Sequence, residues 1–242
     1  AIWYPLRVIM VILGVPEKDE ALMLKLAQEI FGSEDPDMQR EGTDEERMQF
    51  MMDFFMYFSQ MTADRRANPG DDVASVIANA VIDGQPIGEM EALGYYVIVA
   101  TAGHDTTSAS TAGGLLALMQ NPEQMNKLRN DLSLLPHAIE EMFRWETPVK
   151  HFLRTATEDY TLRGRSIKEG DRLMMMYASG NRDEEVFNNP FEFQVDRRPN
   201  KQIAFGYGVH RCLGHLLAKM EMSAFYKALL ERTTDIQLNG DP

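Results

Sequence analysis

The chain has 242 residues, of which 44% are hydrophobic and 25% are charged, and its formal net charge is −13. These values are typical of a globular protein with one or two domains. The negative charge, without a basic stripe to neutralise phosphates, argues against a nucleic-acid partner. No run reaches the roughly 18 apolar residues that a membrane helix needs. A single cysteine excludes an internal disulfide framework and favours a reducing compartment, so we expect a cytoplasmic protein.

Both ends of the sequence are abrupt. The chain opens with Ala1-Ile2-Trp3-Tyr4-Pro5, without an initiator Met or a signal-peptide pattern, and ends with Asn239-Gly240-Asp241-Pro242. We therefore expect a fragment of a longer protein, for which a missing targeting segment carries little information.

Apolar residues at helical spacing predict a helical region over residues 1–145. In chain order, the predicted helices are Leu6–Leu13, Asp19–Phe31, Asp44–Thr62, Val73–Ala80, Gly88–Met119, Glu123–Arg129 and Pro136–Trp145. The helix over 88–119 is longer than is typical of a globular protein, so we expect it to run through the core.

The helical spacing of apolar residues ends near Thr147. Short runs bounded by glycine-containing turns predict strands at Val149–Thr155, Tyr160–Leu162 and Arg172–Tyr177. We expect one mainly α domain, with a small β region and an irregular meander over 146–200. A cysteine loop and a final helix complete it over 201–242.

The only cysteine lies in a glycine-rich loop that leads into the helical pattern Leu216–Leu230. The loop reads Phe205-Gly206-Tyr207-Gly208-Val209-His210-Arg211-Cys212-Leu213-Gly214. Glycine permits a left-handed backbone and close contact with a flat partner, and the amides at the start of the helix favour a thiolate. The common alternative is a small buried hydrophobic residue. A zinc site made of His210, Cys212 and His215 would lack a credible fourth ligand.

The order Phe-x-x-Gly-x-His-x-Cys-x-Gly in this loop resembles the haem-ligand loop of the cytochromes P450. By this resemblance, the Cys212 thiolate would be the axial ligand to the iron of haem b (iron protoporphyrin IX). The other residues expected to contact the haem from this loop and from the central helix are Phe205, Gly206, Gly208, Gly214 and Ala102.

A second unusual segment, Ala102-Gly103-His104-Asp105-Thr106-Thr107, lies inside the predicted helix over 88–119. Glycine in a helix interior costs about 1 kcal/mol relative to alanine, and Asp followed by two Thr lowers helix propensity further. Such local conflicts often mark functional sites, and these side chains can open the backbone ladder and hold water. The alternative is a polar surface turn with an incidental glycine.

This segment resembles the kinked central-helix motif of the same family. The resemblance implies that Thr106 donates protons to the oxygen being activated and that Asp105 resupplies them. Because the residue type at position 104 varies in the family, we assign no role to His104.

A third motif, Glu141-Met142-Phe143-Arg144, places two opposite charges three residues apart on one helix face. Alone it is a weak signal, since most such pairs are ordinary surface pairs. It resembles the family's Glu-x-x-Arg helix, whose two charges pair with an Arg of the later meander. Arg197 is the matching position, with Arg198 as a neighbouring alternative. The expected role is structural support for the cysteine side.

Further positions are carried over from the family by their place in the chain. Arg154 would meet one haem propionate and His210 the region of the other, although a solvated strand cation is the ordinary interpretation of Arg154 alone. The expected substrate-pocket residues are Ile98, Thr101, Ala102, Val149 and Phe152. Core packing is an equal alternative for the four apolar residues.

Within the family, the chain is most similar to soluble bacterial members that hydroxylate terpenes such as α-terpineol. The resemblance implies insertion of one oxygen atom from O2 into a C–H bond of a small hydrophobic substrate, either terpene-like or aromatic. Electrons would come from NAD(P)H through a ferredoxin reductase and an iron–sulfur ferredoxin. Arg211 and Lys219 could offer that carrier a basic patch, or could simply be solvated.

Two alternatives remain. The first is other haem-thiolate chemistry, in a peroxygenase or isomerase, which would not need Asp105 and Thr106. The second is an inactive helical fragment that does not bind haem, because the family's N-terminal sheet, first helices and last β-hairpin have no counterpart in the sequence.

Overall fold

The computed structural model describes residues 2–31 and 44–240. The chain divides into two units, Ala1–Ser108 and Ala109–Pro242. The described elements of the first unit are α1 (Trp3–Leu13), α2 (Glu20–Phe31), α3 (Asp44–Ala67), α4 (Val73–Ala78), α5 (Glu89–Ala102), a 3-10 turn (Glu17–Asp19), β1 (Val81–Ile82) and β2 (Gln85–Pro86). Helix α6 (Asp105–Gln120) begins in this unit and continues into the second.

The second unit has short helices, four strands that form two pairs, and one long final helix. Its elements are α7 (Pro122–Asn130), a 3-10 turn (Leu132–Leu134), α8 (Leu135–Glu146), β3 (His151–Thr155), β4 (Tyr160–Leu162), β5 (Arg165–Ile167), β6 (Arg172–Met176), α9 (Tyr177–Gly180), a 3-10 turn (Gly208–His210) and α10 (His215–Arg232). The mainly α class with a small β portion is confirmed.

The core of the first unit is formed by buried side chains of α1, α3, α4 and α5. Phe58 of α3 and Tyr96 of α5 are stacked with ring centroids 4.7 Å apart. The Tyr96 hydroxyl donates to the carbonyl of Ala74 at 3.1 Å, so it remains satisfied inside the core. Helix α1 ends at Gly14, whose φ of 82° is the left-handed conformation that closes a helix.

The core of the second unit lies mainly between α6, α8 and α10. Its fully buried side chains include Leu118, Leu128, Ile139, Met142 and Tyr226. The Tyr226 hydroxyl donates to the carbonyl of Thr111 at 2.6 Å, and burial raises the pKa of this phenol. This core holds α10, and with it the loop that precedes it.

Two antiparallel strand pairs lie in the second unit. Strand β3 pairs with β6 from His151↔Met176 to Thr155↔Arg172, and β4 pairs with β5 around a turn at Arg163 and Gly164. Both turn residues have positive φ, 48° and 78°, as tight hairpin turns require. The sequence pattern predicts β3, β4 and β6 to within two residues and does not predict β1, β2 or β5.

The single kinked helix predicted over 88–119 is instead two helices, because Gly103 and His104 separate α5 from α6 within the segment where the kink was expected. The hydroxyls of Thr106 and Thr107 donate to the carbonyls of Ala102 and Gly103 at 3.0 and 3.2 Å. In a continuous helix, those carbonyls would accept backbone amides four residues on. Side chains that compete for backbone carbonyls account for the break.

None of the helices in the described ranges is both long enough and apolar enough to cross a bilayer.

Gly114 of α6 packs where a side chain has no room. A Cβ there would lie 2.8 Å from both Met142 Cγ and the Tyr226 hydroxyl, whereas a Cβ at Gly94 of α5 would meet nothing within 4 Å. We predict that Gly114→Ala lowers the free energy of unfolding by roughly 1–3 kcal/mol through overpacking. Gly94→Ala should raise it by up to about 1 kcal/mol, because alanine favours the helix. Urea unfolding midpoints test both, and equal effects of the two changes would contradict the packing argument.

Candidate functional site

The cysteine loop turns back on itself before α10 begins. Gly206 and Gly208 have φ of 71° and 70°, a conformation that other residues rarely adopt. The Cys212 amide donates to the Phe205 carbonyl at 2.8 Å, and Gly214 is the N-cap of α10. The thiol of Cys212 is free and exposed. The glycines therefore hold this thiol at the surface of the second unit, beside the start of a helix.

Large apolar side chains stand exposed on both sides of the thiol. Val209 is 96% exposed and Leu213 is 92% exposed, and Tyr207 is nearly as open. Apolar surface gathered in this way usually serves a partner or ligand. The loop therefore presents a free sulfur atom within an apolar surface, and these residues fit a broad, flat, apolar group such as haem.

The zinc alternative has no support in the geometry. The Nδ1 atom of His215 is 2.9 Å from the carbonyl oxygen of Cys212, so this ring contacts the backbone. No group of three or more His, Cys, Asp and Glu residues suited to a metal ion occurs in the described ranges 2–31 and 44–240.

Glu141, Arg144 and Arg197 form one buried network in the second unit. Arg144 Nε and Nη2 donate to the two Glu141 carboxylate oxygens at 2.7 and 2.8 Å. Arg197 Nε lies 3.0 Å from both of those oxygens. Arg198, the neighbouring alternative, is exposed. Opposite charges with this many hydrogen bonds can remain buried, because each has its countercharge at contact distance.

The same network includes two asparagines to which the sequence assigned no role. Asn181 is buried, accepts from the Ile203 amide at 2.8 Å and donates to the Thr147 hydroxyl at 2.8 Å. Asn200 donates to Glu141 at 3.1 Å. An isolated asparagine is typical of turns, so nothing in the local sequence pointed to these contacts.

The break between α5 and α6 brings three polar residues together in the first unit. His104 is 0% exposed, and its Nδ1 lies 3.0 Å from Oδ1 of Asp105, whose side chain is 48% exposed. The Thr106 hydroxyl is fixed by its bond to Ala102. The predicted acid and alcohol thus occupy the first residues of α6, where the helix dipole favours a carboxylate.

The two basic residues expected at the propionates lie in the second unit. Arg154 is half-buried in β3 and donates to the Leu153 carbonyl at 2.8 Å, with its guanidinium 5.8 Å from the Phe152 ring centre. His210 is exposed in the 3-10 turn of the cysteine loop. Lys219 forms an ion pair with Glu140, so its charge is partly neutralised, whereas Arg211 is exposed.

The expected pocket residues differ in exposure. Ile98 and Phe152 are 52% and 51% exposed, so neither belongs to the packed core of its own unit. Val149 is half-buried and Ala102 is exposed. Thr101 is buried, and its hydroxyl donates to the Val97 carbonyl at 2.7 Å.

Glu221 of α10 is a second buried carboxyl that sequence analysis missed. Burial raises its pKa from 4.5 to about 7. A carboxyl in such surroundings favours its protonated form, because burial penalises the charge.

Comparisons with known proteins give a consistent result. The family model described as Cytochrome P450 matches residues 36–234. The chain is 48% identical to Cytochrome P450-terp of a Pseudomonas species, covering 100% of this chain and 58% of that protein. It is 36% identical to a steroid C26-monooxygenase of Mycolicibacterium smegmatis, covering 98% of this chain and 59% of that one.

Solved structures agree with these sequence matches. The crystal structure of CYP108D1 from Novosphingobium aromaticivorans has a TM-score of 0.89 and 46% identity, covering 100% of this chain and 57% of that one. CYP268A2 from Mycobacterium marinum, in complex with pseudoionone, has a TM-score of 0.88 and 35% identity, covering 94% and 56%. The chain thus spans less than two thirds of the length of these relatives.

The buried network yields a prediction about stability. Arg197→Leu should lower the free energy of unfolding by about 3–5 kcal/mol, because it leaves the buried Glu141–Arg144 pair without one cation. Arg198→Leu is the matched control and should change it by no more than about 0.5 kcal/mol, since this side chain is exposed. Denaturant titration of both variants tests the difference. Similar losses of stability in the two variants would contradict this prediction, because they would show that any change in this segment is destabilising.

Glu221 yields a prediction about pH. Because its folded-state pKa of about 7 exceeds its ordinary value of 4.5, the folded state keeps a proton that the unfolded state has lost between these values. The contribution of Glu221 to the free energy of unfolding is therefore greatest below pH 4.5 and is lost as the pH rises towards 7. The limiting slope is roughly 1.4 kcal/mol per pH unit. Glu221→Gln should remove this part of the pH dependence. Unfolding midpoints at pH 5 and pH 8 test it, and identical slopes for variant and wild type would contradict the assignment.

Proposed function

The chain belongs to the cytochrome P450 family, and on this premise we propose that the protein is a haem-thiolate monooxygenase. It would insert one oxygen atom from O2 into a C–H bond of a small hydrophobic substrate. The observation that carries the proposal is the exposed Cys212 thiol on a left-handed glycine loop, surrounded by exposed apolar side chains.

Residues of the second unit would hold the haem. Cys212 would ligate the iron as a thiolate, favoured by the amides at the start of α10. Phe205, Gly206, Gly208 and Gly214 would shape the loop against the ring. Arg154 and His210 would pair with the propionates; the Arg154 guanidinium has no carboxylate partner within 4.0 Å in the described part of the chain. Bound haem supplies the activation of O2 and its insertion into the C–H bond.

Residues at the α5–α6 break would move protons. Thr106 would donate from its hydroxyl, and the Asp105 carboxyl, which is half exposed, would take protons from water and resupply that hydroxyl. Ala102 would contact the haem beside them. The adjacent positions of Asp105 and Thr106 at the start of α6, with the Asp105 side chain open to water, support this role. To donate, the Thr106 hydroxyl would turn away from the Ala102 carbonyl that it bonds in this structure.

The substrate would be terpene-like or aromatic. Ile98 and Phe152 are half-exposed apolar side chains, as pocket walls require, and Thr101, Ala102 and Val149 would complete the lining. The relative named Cytochrome P450-terp and the structural neighbour that binds pseudoionone support this substrate class.

Electrons would come from NAD(P)H through a ferredoxin reductase and an iron–sulfur ferredoxin. Arg211, exposed on the cysteine loop, would attract an acidic carrier. Lys219 would contribute less, because Glu140 neutralises part of its charge.

The absorption spectrum of the reduced, CO-bound chain reconstituted with haem tests the proposal. We predict a strongly red-shifted Soret band that Cys212→Ser abolishes and His215→Asn retains, because only the first change removes the thiolate. A free-haem spectrum in all three proteins, or a red-shifted band that survives in Cys212→Ser, would overturn the proposal. Turnover driven by peroxide but not by NAD(P)H with ferredoxin would instead indicate a peroxygenase.

A further inference from the structure

His104 is a buried polar residue that the proposed chemistry does not yet use. Its ring is 0% exposed, and within the described chain neither ring nitrogen makes a hydrogen bond of good geometry. Buried polar atoms usually have partners, and each exception requires a physical reason. An apolar side chain could fill the same volume without burying two nitrogens.

The adjacent carboxylate approaches this ring closely. His104 Nδ1 and Asp105 Oδ1 are 3.0 Å apart. A carboxylate oxygen offers only lone pairs, so a lone pair on Nδ1 at this distance would be repelled. A proton on Nδ1 would instead make the same contact attractive, and this is the tautomer that the short distance favours. The partner of one ring nitrogen thus determines where the proton resides.

We propose that His104 is the positioning residue for Asp105, with an Nδ1–H group that holds Oδ1 of the carboxylate at the start of α6. The enclosed ring cannot turn away, so it limits the orientations of a carboxylate that is otherwise half exposed. One oxygen is held against the ring, and the other stays available for proton exchange with water. The catalytic meaning of this contact rests on the proposed function, whereas the contact itself does not.

The tautomer of His104 is the first test. In a long-range proton–nitrogen NMR spectrum of the 15N-histidine-labelled chain, the His104 signals are those that His104→Asn removes. We expect Nδ1 to be protonated. The exposed His151, assigned through His151→Asn, provides a reference for a ring in solvent. An unprotonated Nδ1 in His104 would overturn the proposal.

Three substitutions at position 104 form the second test. Asparagine places an N–H group near the position of Nδ1, glutamine places one near Nε2, and phenylalanine fills the volume without a donor. The readout is the 13C shift of the Asp105 carboxyl carbon, assigned through Asp105→Asn, with the thermal midpoint recorded for each variant.

We expect His104→Asn to retain the Asp105 carboxyl shift, and His104→Gln and His104→Phe to change it even where their thermal midpoints equal that of the wild type. Equal changes in all three variants, or no change in any, would overturn the positioning role. Neither NMR readout needs haem or turnover. If both succeed while product formed per NAD(P)H consumed is unchanged in His104→Phe, the positioning contact stands and the proton relay is wrong.

Discussion

The second unit depends on one carboxylate. Glu141 accepts hydrogen bonds from Arg144 of its own helix, and from the Gln194 amide, Arg197 and Asn200 of the later meander. Arg144 in turn donates to the carbonyls of residues 181, 190 and 192, which lie in a region with little regular structure. Irregular backbone cannot pair all of its own carbonyl groups, so the guanidinium groups of Arg144 and Arg197 donate the hydrogen bonds that a helix or sheet would supply. A buried charge network is costly to assemble, but it specifies one arrangement of these segments.

This arrangement matters for the loop that follows. Asn181 connects the network to Ile203, and the Gly206 amide donates to the Ile203 carbonyl at 2.8 Å. The Cys212 amide is in turn tied to Phe205. Hydrogen bonds and short backbone segments therefore link Glu141, through Arg144 and Asn181, to the backbone amide of Cys212. Helix α10 fixes the other end of the loop through the core around Tyr226. Preorganisation of this kind reduces the cost of ordering a ligand when a cofactor binds.

Much of this architecture was predictable, for identifiable reasons. The glycines around Cys212 signalled a left-handed backbone, and the run Ala102–Thr107 signalled a local conflict, although not a complete break between two helices. Strands β1 and β2 have two exposed residues each, too few to show an alternating pattern. Asn181 and His104 were missed because their importance comes from distant or enclosing contacts, which propensity does not describe. The assignments of Cys212 to iron, Asp105 and Thr106 to proton transfer, and Arg154 and His210 to the propionates stay predictions.

The exposure of Cys212 has a practical consequence, because it is the only thiol in the chain. One equivalent of an alkylating reagent would label a single sulfur atom, so its labelling rate reports solely on this loop. A group seated on the loop would shield the sulfur and slow alkylation, which makes the rate a direct titration of occupancy. The same isolation carries a liability, since an open thiol with no resolving partner in its own chain can be oxidised by peroxide or joined to a second molecule during handling.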